Sequence, residues 1–547
     1  MIEPWPGRVR RFFWLAGPLV GLALRVEAGT YYVATNGLDS ANGLSRTSAW
    51  QRIQHAVQTV GPGDTITVLA GDYAGALIQQ SGTSNAPITL RADDGARVVL
   101  NAPGPSNRHT SILEVETFNG DGTVAYWNIE GFRVTGAPRY GIDVRSTHHI
   151  AIRSNVVCES HVTGIFTPFC YDMTIEGNES ASNGEHGIYY NNSSDRFVIR
   201  RNVLHHNANC GLHMNGDLSV PPPDGTPWVG DGILSDGLVE GNVVFLNGTN
   251  HNGGAGINMD GVTHTVIRNN VLATTPNNSG IALYQTDGGV PSSTNWIVNN
   301  TILMAADGGW AINIVDAGCV SNTVLNNVLY NLHPWRGVIS IPDPGLAGFR
   351  SDYNTVMDRF SIDGGANRIG LAAWQAYGYD VHSLSTTPSA LFVDPAQDYH
   401  LRTNSPAIDR AIPDASVTND FDGIPRGLDG NGDGTNAWDM GAFEFVRPGV
   451  DSDHDGLQDT AEVVAGTNPM DAASVLRLVA SLPAGPDSMA LHWTSASGRR
   501  YALLRADAPA EDFQPVATNL NATPPLNVSI VSMGSAQSGF YRIQVEP

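Results

Sequence analysis

The sequence predicts an all-β solenoid, a coil of short stacked strands, and two repeating patterns support this prediction. An asparagine that ends an Ile/Val-x-x-Asn step recurs along the chain, and its first two steps are 23 and 24 residues long. Glycines followed by an apolar residue recur in phase with it. Such a period, with several strand-like runs per unit, is typical of one turn of a solenoid. The repeating residues are Asn155, Asn178, Asn202, Asn242, Asn270, Asn300 and Asn327, with Gly141, Gly164, Gly187, Gly211, Gly256 and Gly280.

The stretch 183–217 holds almost two copies of the unit and shows why the turns must stack. Its strands are short and alternating, as in residues 188–190 and 197–199. One turn cannot bury its apolar side alone, so neighbouring turns must cover one another. Stacked parallel strands lie about 4.8 Å apart, so equivalent residues should form ladders along the axis. The repeated asparagine can hydrogen-bond its own backbone and its neighbours at a tight bend.

Composition fits a turn-rich protein and argues against nucleic-acid binding. The 547 residues include 60 glycines, charged residues make up 15% of the chain, and the formal net charge is −23. All 30 basic residues are arginines, so there is no lysine. An acidic protein is repelled by phosphate backbones, so we expect no nucleic-acid partner. The excess of acidic residues fits a soluble exported protein that uses calcium.

The first 28 residues are typical of a secretory signal peptide. Arg8, Arg10 and Arg11 form a basic start, residues 12–24 are apolar, and residues 26–28 offer a cleavage site. The apolar run is short and interrupted by glycine and proline, which favours a cleaved signal over an uncleaved anchor. We therefore expect a secreted or cell-surface protein.

Four cysteines are scattered without the spacing of a metal site. A Cys158–Cys170 bridge fits an exported protein, and buried thiols along the solenoid are an equal alternative. The other two are Cys210 and Cys319.

Residues 29–345 are predicted to form the solenoid, which begins with a strand and a capping helix. Residues 31–33 should be a strand, and residues 47–60 an amphipathic helix that starts with a capping box of Ser48 and Gln51. A solenoid needs a cover at its open end, and such a helix provides one. The apolar face of the helix contains Trp50, Ile53, Val57 and Val60, and further strands are predicted at residues 65–69, 87–90, 98–100 and 112–115.

The repeat resembles the right-handed parallel β-helix proteins of the pectate-lyase-like superfamily over residues 30 to 345. The opening run YYVATNGLDS…IQHAV…GPGDTITVLAGDY resembles the start of several exported β-helix polysaccharide lyases. The resemblance implies a polysaccharide partner and supplies no catalytic residue. The superfamily contains lyases, hydrolases, epimerases and non-catalytic binders, so the fold alone leaves the reaction open.

One long insertion interrupts the repeat at residues 217–236. Four prolines and three glycines indicate a loop rather than another turn. Long loops on repeat proteins usually gather on the binding face. Trp228 near its tip could stack on a sugar ring or pack the loop onto the solenoid.

After residue 345 the period is lost, and three further segments follow. Residues 346–446 resemble the closing segment of exported β-helix proteins, and we expect them to cap the solenoid. The DGNGDG run at residues 429–434 suits a plain turn better than a calcium site. Residues 447–473 are predicted to be a linker. Residues 474–547 should form a small β-sandwich, as an accessory domain.

The linker contains a twelve-residue calcium loop at residues 451–462. Oxygen ligands fall at positions 1, 3, 5, 9 and 12, with glycine at position 6 and a backbone carbonyl at position 7. It resembles the thrombospondin type-3-like repeats that join domains in exported proteins. We expect structural calcium bound by Asp451, Asp453, Asp455, Leu457, Asp459 and Glu462.

Aligning the turns on their glycines predicts which side chains face outward, because side chains alternate along a strand. Two outward columns result, and their middle is polar, aromatic and titratable beneath the long loop. Glu185, His186 and Asp217 lie at its edge. We expect a functional groove here. The columns are Asp143, Phe166, Tyr189, His213, Asn258, Ala282 and Asn313, and Arg145, Pro168, Asn191, Asn215, Asp260, Tyr284 and Val315.

Two chemistries compete for this groove. A uronate lyase needs a base and a group that neutralises the carboxylate. Without lysine, His213 or Tyr189 could be the base, and Arg145 or a metal could neutralise the substrate. A hydrolase needs two carboxyl groups, which Asp260 with Asp217 or Glu185 could supply.

A non-catalytic glycan-binding or cell-surface protein is the third interpretation, since it needs only a groove with aromatic residues. In each case we expect a polysaccharide partner and a monomer. The expected substrate contacts are Asn191, Asn215, Asn258, Tyr284 and Trp228.

Overall fold

The computed structural model describes residues 28–105, 111–116, 124–222, 229–250, 254–273, 275–532 and 539–546. The chain winds through three parallel sheets of 12, 12 and 11 strands, which confirms the predicted parallel β-solenoid. Residues 1–27, which hold the predicted signal peptide, and Trp228 lie outside the described residues. None of the helices that are described has the length and apolar character needed to cross a membrane.

Each turn contributes one strand to each sheet in the same order. The first sheet contains Thr30–Val33, Thr65–Val68, Ile88–Ala92, Ala125–Glu130, His148–Arg153, Thr174–Glu176, Val198–Arg200, Leu238–Glu240, Val266–Arg268, Trp296–Val298, Thr323–Leu325 and Arg350–Asp352. The second contains Gly71–Ala74, Val98–Ala102, Arg133–Thr135, Val156–Cys158, Glu179–Ala181, Val203–His205, Val243–Phe245, Val271–Ala273, Thr301–Met304, Val328–Asn331, Thr355–Val356 and Leu384–Ser385.

The third sheet carries the predicted groove and is called the groove sheet below. A small sheet of Ser194–Asp195, Leu234–Ser235 and Val262–Thr263 lies in the connections that leave it. The strands of the groove sheet are Leu77–Ile78, Ser111–Val115, Tyr140–Val144, Thr163–Pro168, Ile188–Asn191, Leu212–Asn215, Ala255–Asp260, Ser279–Tyr284, Ile312–Ile314, Ile339–Ser340 and Phe360–Ser361.

The repeated glycines stand where a strand of the groove sheet approaches its neighbours too closely for a side chain. A Cβ at Gly164 would lie 2.8 Å from the carbonyl oxygen of Gly187, and a Cβ at Gly187 would lie 2.7 Å from that of Gly211. Contacts this short do not occur for real Cβ atoms, so glycine is required. The recurrence that predicted the fold is therefore a steric requirement of the stacked turns.

The repeated asparagines form a buried ladder between the first and second sheets. The Asn202 backbone N–H and side-chain Nδ2 both donate to Oδ1 of Asn242, each at 3.0 Å. The Asn242 Nδ2 donates in turn to Oδ1 of Asn270, at 2.9 Å, and to the Ile199 carbonyl oxygen one turn back. The same bonds link Asn155, Asn178, Asn202, Asn242, Asn270, Asn300, Asn327 and Asn354.

The ladder has a defined end. The Asn354 Nδ2 donates at 2.8 Å to the buried carboxyl group of Asp380. Ser351, Ser383 and the Trp374 indole donate to the same carboxyl group. Every step therefore runs in one direction, from a donor amide in one turn to an acceptor in the next.

The N-terminal helix covers the start of the solenoid but is shorter than predicted. It spans Ile53–Thr59, after a 3₁₀ turn at Arg46–Ser48. The predicted capping box of Ser48 and Gln51 is wrong, because the Asp39 carboxylate accepts the N–H groups of Gln51 and Arg52 and Ser45 caps the 3₁₀ turn. The predicted apolar face is correct, with Trp50, Ile53, Val57 and Val60 all buried.

The parallel sheets continue past residue 345, where the sequence loses its period, up to Leu384–Ser385. The run 429–434 is a turn whose Asp429 carboxylate accepts the backbone N–H groups of residues 432, 433 and 434. Beyond the solenoid, two three-stranded antiparallel sheets share a small core around Leu491, Leu503 and Val531. Their strands are Leu478–Gly485, Ser488–Thr494 and Leu526–Ser532, and Gln514–Asn521, Arg500–Ala506 and Phe540–Glu546.

The remaining described elements are few. They are the antiparallel pair Phe392–Asp394 and Asp398–Leu401, the 3₁₀ turn Asp343–Leu346, and the helices Leu371–Ala376, Pro388–Leu391 and Asp459–Ala465.

Candidate functional site

The strand register of the groove sheet matches both predicted outward columns. Tyr189 pairs with His213, and His213 pairs with Asn258. In the second column Asn215 pairs with Asp260, and Asp260 pairs with Tyr284. The inward residues between the columns are fully buried in the core, as predicted; they include Ile188, Tyr190, Leu212, Met214, Ile257 and Met259.

A cleft of about 750 Å³ lies on this face, over the groove strands Tyr140–Val144, Thr163–Pro168 and Ile188–Asn191. Connections before the groove strands line one flank, and connections after the strands line the other. The cleft therefore lies across several turns. Its polar lining includes Arg139, Arg145, Glu185, Tyr189, Asn191 and Asp217.

The side chain of Arg145 lines this cleft. Its Nε lies 2.8 Å from Oδ1 of Asp143, whose carboxyl group is buried and also accepts the Ser111 hydroxyl at 2.8 Å. Burial raises the pKa of Asp143, while the ion pair with Arg145 opposes that shift. The guanidinium also lies 5.5 Å from the ring centroid of Tyr140 and 4.7 Å from that of Phe166. These contacts fix Arg145 in place with part of its surface open to the cleft.

Four aromatic rings continue from Arg145 along the groove. Tyr140 and Phe166 are stacked at 4.2 Å, and Phe166 meets Tyr189 edge-on at 5.5 Å. Tyr189 is stacked on His213 at 4.7 Å. The sequence columns did not include Tyr140 or His186. Both precede a repeated glycine, and this shared position is the signal that could have placed them together.

A backbone donor fixes the proton positions on the two central histidines. The Cys210 N–H donates to Nδ1 of His186, so the His186 proton is on Nε2. This Nε2 lies 3.2 Å from Nδ1 of His213 and donates to it. Burial lowers the pKa of His186 to about 3, and burial with His186 nearby also lowers the pKa of His213, so both rings are neutral at pH 7. A neutral His213 then carries its proton on Nε2.

This assignment makes His213 a hydrogen-bond donor toward the groove. Its Nε2 lies 3.4 Å from the Tyr284 hydroxyl, which also accepts from the side-chain amide of Asn258 at 2.5 Å. His213, proposed above as a base, has no free acceptor nitrogen here. We therefore assign it to holding the rings of Tyr189 and Tyr284.

The Tyr189 side chain lines the cleft. The Asn215 amide donates to its oxygen at 3.2 Å, so the phenol can give its own proton to a ligand. Burial raises the pKa of Tyr189, so the phenol stays protonated at neutral pH. Burial raises the pKa of Tyr284 as well.

The three candidate carboxylates occupy different surroundings. Asp260 is buried, and its two oxygens accept the backbone N–H groups of residues 286, 287 and 288 at 2.9–3.1 Å. It anchors the connection after the strand Ser279–Tyr284. Glu185 and Asp217 both line the cleft, and Asp217 also accepts the N–H and hydroxyl of Ser219.

The four cysteines are free and buried, which excludes the Cys158–Cys170 bridge. Cys210 places its sulfur within 4.8 Å of the ring nitrogens of His186 and His213. Burial raises the pKa of this thiol to about 12, and the facing imidazole nitrogens already bond to each other. We therefore assign this group to the hydrogen-bond network of the groove rather than to a metal.

The predicted calcium loop places three carboxylates together. Oxygens of Asp451, Asp453 and Asp455 lie within 4.8 Å of one another. Among the described residues, Asp453 Oδ2 and Glu462 Oε2 are buried without a hydrogen-bond partner. Asp459 instead accepts the N–H and hydroxyl of Ser452, each at 2.7 Å.

Comparisons with known proteins find the same type of fold in other proteins. Residues 31–170 match a protein family described as Pel9A-like, right-handed β-helix region. The crystal structure of pectate lyase Pel9A is similar over 76% of this chain and 96% of that chain, with a TM-score of 0.53 and 17% sequence identity. At this identity the similarity shows the right-handed parallel β-helix fold and not the activity.

Two further solved structures are less similar. The complex of XylC with xylose gives a TM-score of 0.46 at 10% identity, over 76% of this chain and 98% of that chain. A rhamnogalacturonan lyase gives a TM-score of 0.40 at 13% identity, over 56% of this chain and 82% of that chain. No curated protein sequence matches the chain significantly.

Proposed function

We propose that this chain cleaves an acidic polysaccharide by β-elimination in the cleft of the groove sheet. The observation that carries the proposal is that Arg145, Tyr189 and Glu185 open into one cleft. The similarity of the fold to a pectate lyase adds support for a uronate-containing substrate.

The three groups match the needs of the reaction. Elimination removes the proton beside the uronate carboxylate and breaks the glycosidic C–O bond, leaving a carbon–carbon double bond. Arg145 would pair with the substrate carboxylate, which makes that proton more acidic. Glu185 would take the proton, and the Tyr189 phenol would give its proton to the leaving oxygen. The Asn215 amide would then stabilise the resulting phenolate.

Hydrolysis is the second candidate, because Glu185 and Asp217 line the same cleft. Two such carboxyl groups could act as acid and base on a glycosidic bond. Asp260 does not suit this role, since backbone amides surround its carboxylate.

The test is a panel of acidic and neutral polysaccharides with residues 29–547 in the presence of calcium. Elimination should give both ultraviolet absorbance from the new double bond and new reducing ends. Reducing ends without that absorbance would replace elimination by hydrolysis. Binding without either product would support the non-catalytic alternative and overturn both enzymatic proposals.

We also propose that the loop 451–462 binds calcium through Asp451, Asp453, Asp455 and Glu462 with the Leu457 carbonyl. The buried, unpartnered oxygens of Asp453 and Glu462 support this assignment. The position of Asp459 suits a residue that orders the loop or holds a water ligand. The ion would stiffen the linker and take no part in the reaction.

Removing calcium should therefore loosen the linker. We expect EDTA to increase protease cleavage within residues 447–473 by about tenfold, because bound ion stabilises only the folded loop. Mass spectrometry of the fragments locates the cleavage, and added calcium should reverse the effect. Equal cleavage with and without EDTA would contradict the site.

A further inference from the structure

A cluster of arginines around an exposed tryptophan lies farther along the groove, outside the cleft. It consists of Trp335, Arg336, Arg359 and Arg368 and is called the Trp335 cluster below. Trp335 and Arg336 lie in the connection between the strands Val328–Asn331 and Ile339–Ser340.

The cluster lies on the same flank of the groove as Glu185. Glu185 precedes the groove strand Ile188–Asn191, and Trp335 precedes Ile339–Ser340, five strands later in the sheet. At the spacing of parallel strands this separates the cluster from the cleft by about 24 Å. A polymer of several sugar units in the groove could reach both.

The contacts of the cluster hold its charged groups rigidly. The Arg368 guanidinium carbon lies 3.8 Å from the ring centroid of Trp335, which is 45% exposed. Arg359 donates to the carbonyl oxygens of His333 and Arg336, at 2.6 and 2.8 Å. Arg336 donates to the Gly308 carbonyl oxygen at 3.0 Å. A stacked or anchored guanidinium loses less freedom when it binds an anion.

Among the described residues, the guanidinium groups of Arg336, Arg359 and Arg368 form no ion pair with a carboxylate, although ion pairs occur elsewhere in this acidic protein. Burial lowers the pKa of Arg359, and the neighbouring charge of Arg368 lowers it further. The partners of Arg336 and Arg359 are backbone carbonyls, so their positive charge remains available to an anion.

We propose that the Trp335 cluster is a distal subsite that binds carboxylate groups of an acidic glycan. Arg368 can offer its planar fork of N–H donors to a carboxylate. Within the described ranges, one of its five donors is used, by the Pro334 carbonyl oxygen. The open face of Trp335 can stack on a sugar ring. The choice of glycan rests on the proposed function, and the binding itself does not require catalysis.

The test compares Arg368→Gln and Trp335→Ala with the wild type, using long polygalacturonate and alginate as probes. Arg350→Gln is the matched control, because Arg350 is an exposed arginine on the first sheet. Each substitution in the cluster should weaken binding of at least one acidic polymer by about tenfold, as expected for loss of one charge-assisted contact. Binding of a trisaccharide of the same acid should not change, since it is too short to span both sites.

The outcomes separate this subsite from the proposed reaction. Weakened polymer binding in both variants without elimination by the wild type would keep the subsite and overturn the reaction. Elimination by the wild type with unchanged polymer affinity in both variants would keep the reaction and overturn the subsite. A wild type that binds neither acidic polymer, or a control that loses as much affinity as the variants, overturns the subsite.

Discussion

Tyr189→Phe should lower kcat on the acidic polysaccharide by roughly 10²- to 10⁴-fold, the range of a general acid. The substitution removes only the hydroxyl group of a side chain that lines the cleft. The ring contacts with Phe166 and His213 should remain, so the melting temperature and KM should change little. Steady-state rates from double-bond absorbance, with a thermal melt, measure both effects.

Tyr32→Phe provides the control for this experiment. Tyr32 lies on the first sheet, away from the groove sheet, and the change removes the same atom. Its kcat should equal that of the wild type. If Tyr189→Phe also retains full kcat, Tyr189 is not the acid and the proposed mechanism fails. A large loss of melting temperature would instead assign the hydroxyl a role in stability.

Asn242→Ala should destabilise the solenoid by about 3–6 kcal/mol. The substitution removes the Oδ1 atom, which accepts two hydrogen bonds from Asn202. It also removes the Nδ2 atom, which donates to Asn270 and to the Ile199 carbonyl oxygen. All lie in the buried ladder, and each buried polar group left without a partner costs roughly 1–3 kcal/mol. Urea unfolding followed by circular dichroism measures the loss.

The control is Asn85→Ala, since Asn85 is exposed and outside the ladder. This variant should unfold within about 0.5 kcal/mol of the wild type. A loss at Asn242 as small as that at Asn85 would show that water replaces the ladder bonds and that the ladder contributes little.

The solenoid and its outward columns could be predicted because each turn repeats the same steric and hydrogen-bonding requirements. Gly187 and Gly211 mark where backbones nearly touch, and the asparagines mark the ladder. Aligning these residues fixes the register, and with it which side of the sheet His213 and Asp260 face. The pattern fades after residue 345 because irregular connections lengthen, although the strands continue to pair.

The roles within the site could not be predicted from the columns. Asp260 faces outward as expected, but a connection one turn later folds over it and its carboxylate binds backbone amides. An imidazole such as that of His213 can act as a base. Here the Cys210 backbone N–H determines which nitrogen of His186 carries its proton, and thereby which nitrogen of His213 does. Both outcomes depend on the conformation of loops, which the repeating sequence pattern does not predict.

The asparagine ladder also has an electrostatic polarity. Each side-chain amide turns its Oδ1 toward the preceding turn and one N–H toward the next asparagine, so the components of these small dipoles along the axis add, much as peptide dipoles add in an α-helix. The positive end of this array meets the carboxyl group of Asp380. Its field favours the charged form of that carboxyl group and so opposes the rise in pKa that burial causes. Asp380 therefore acts as an internal counter-charge at the end of the ladder. The two ends of the solenoid differ in electrostatic potential.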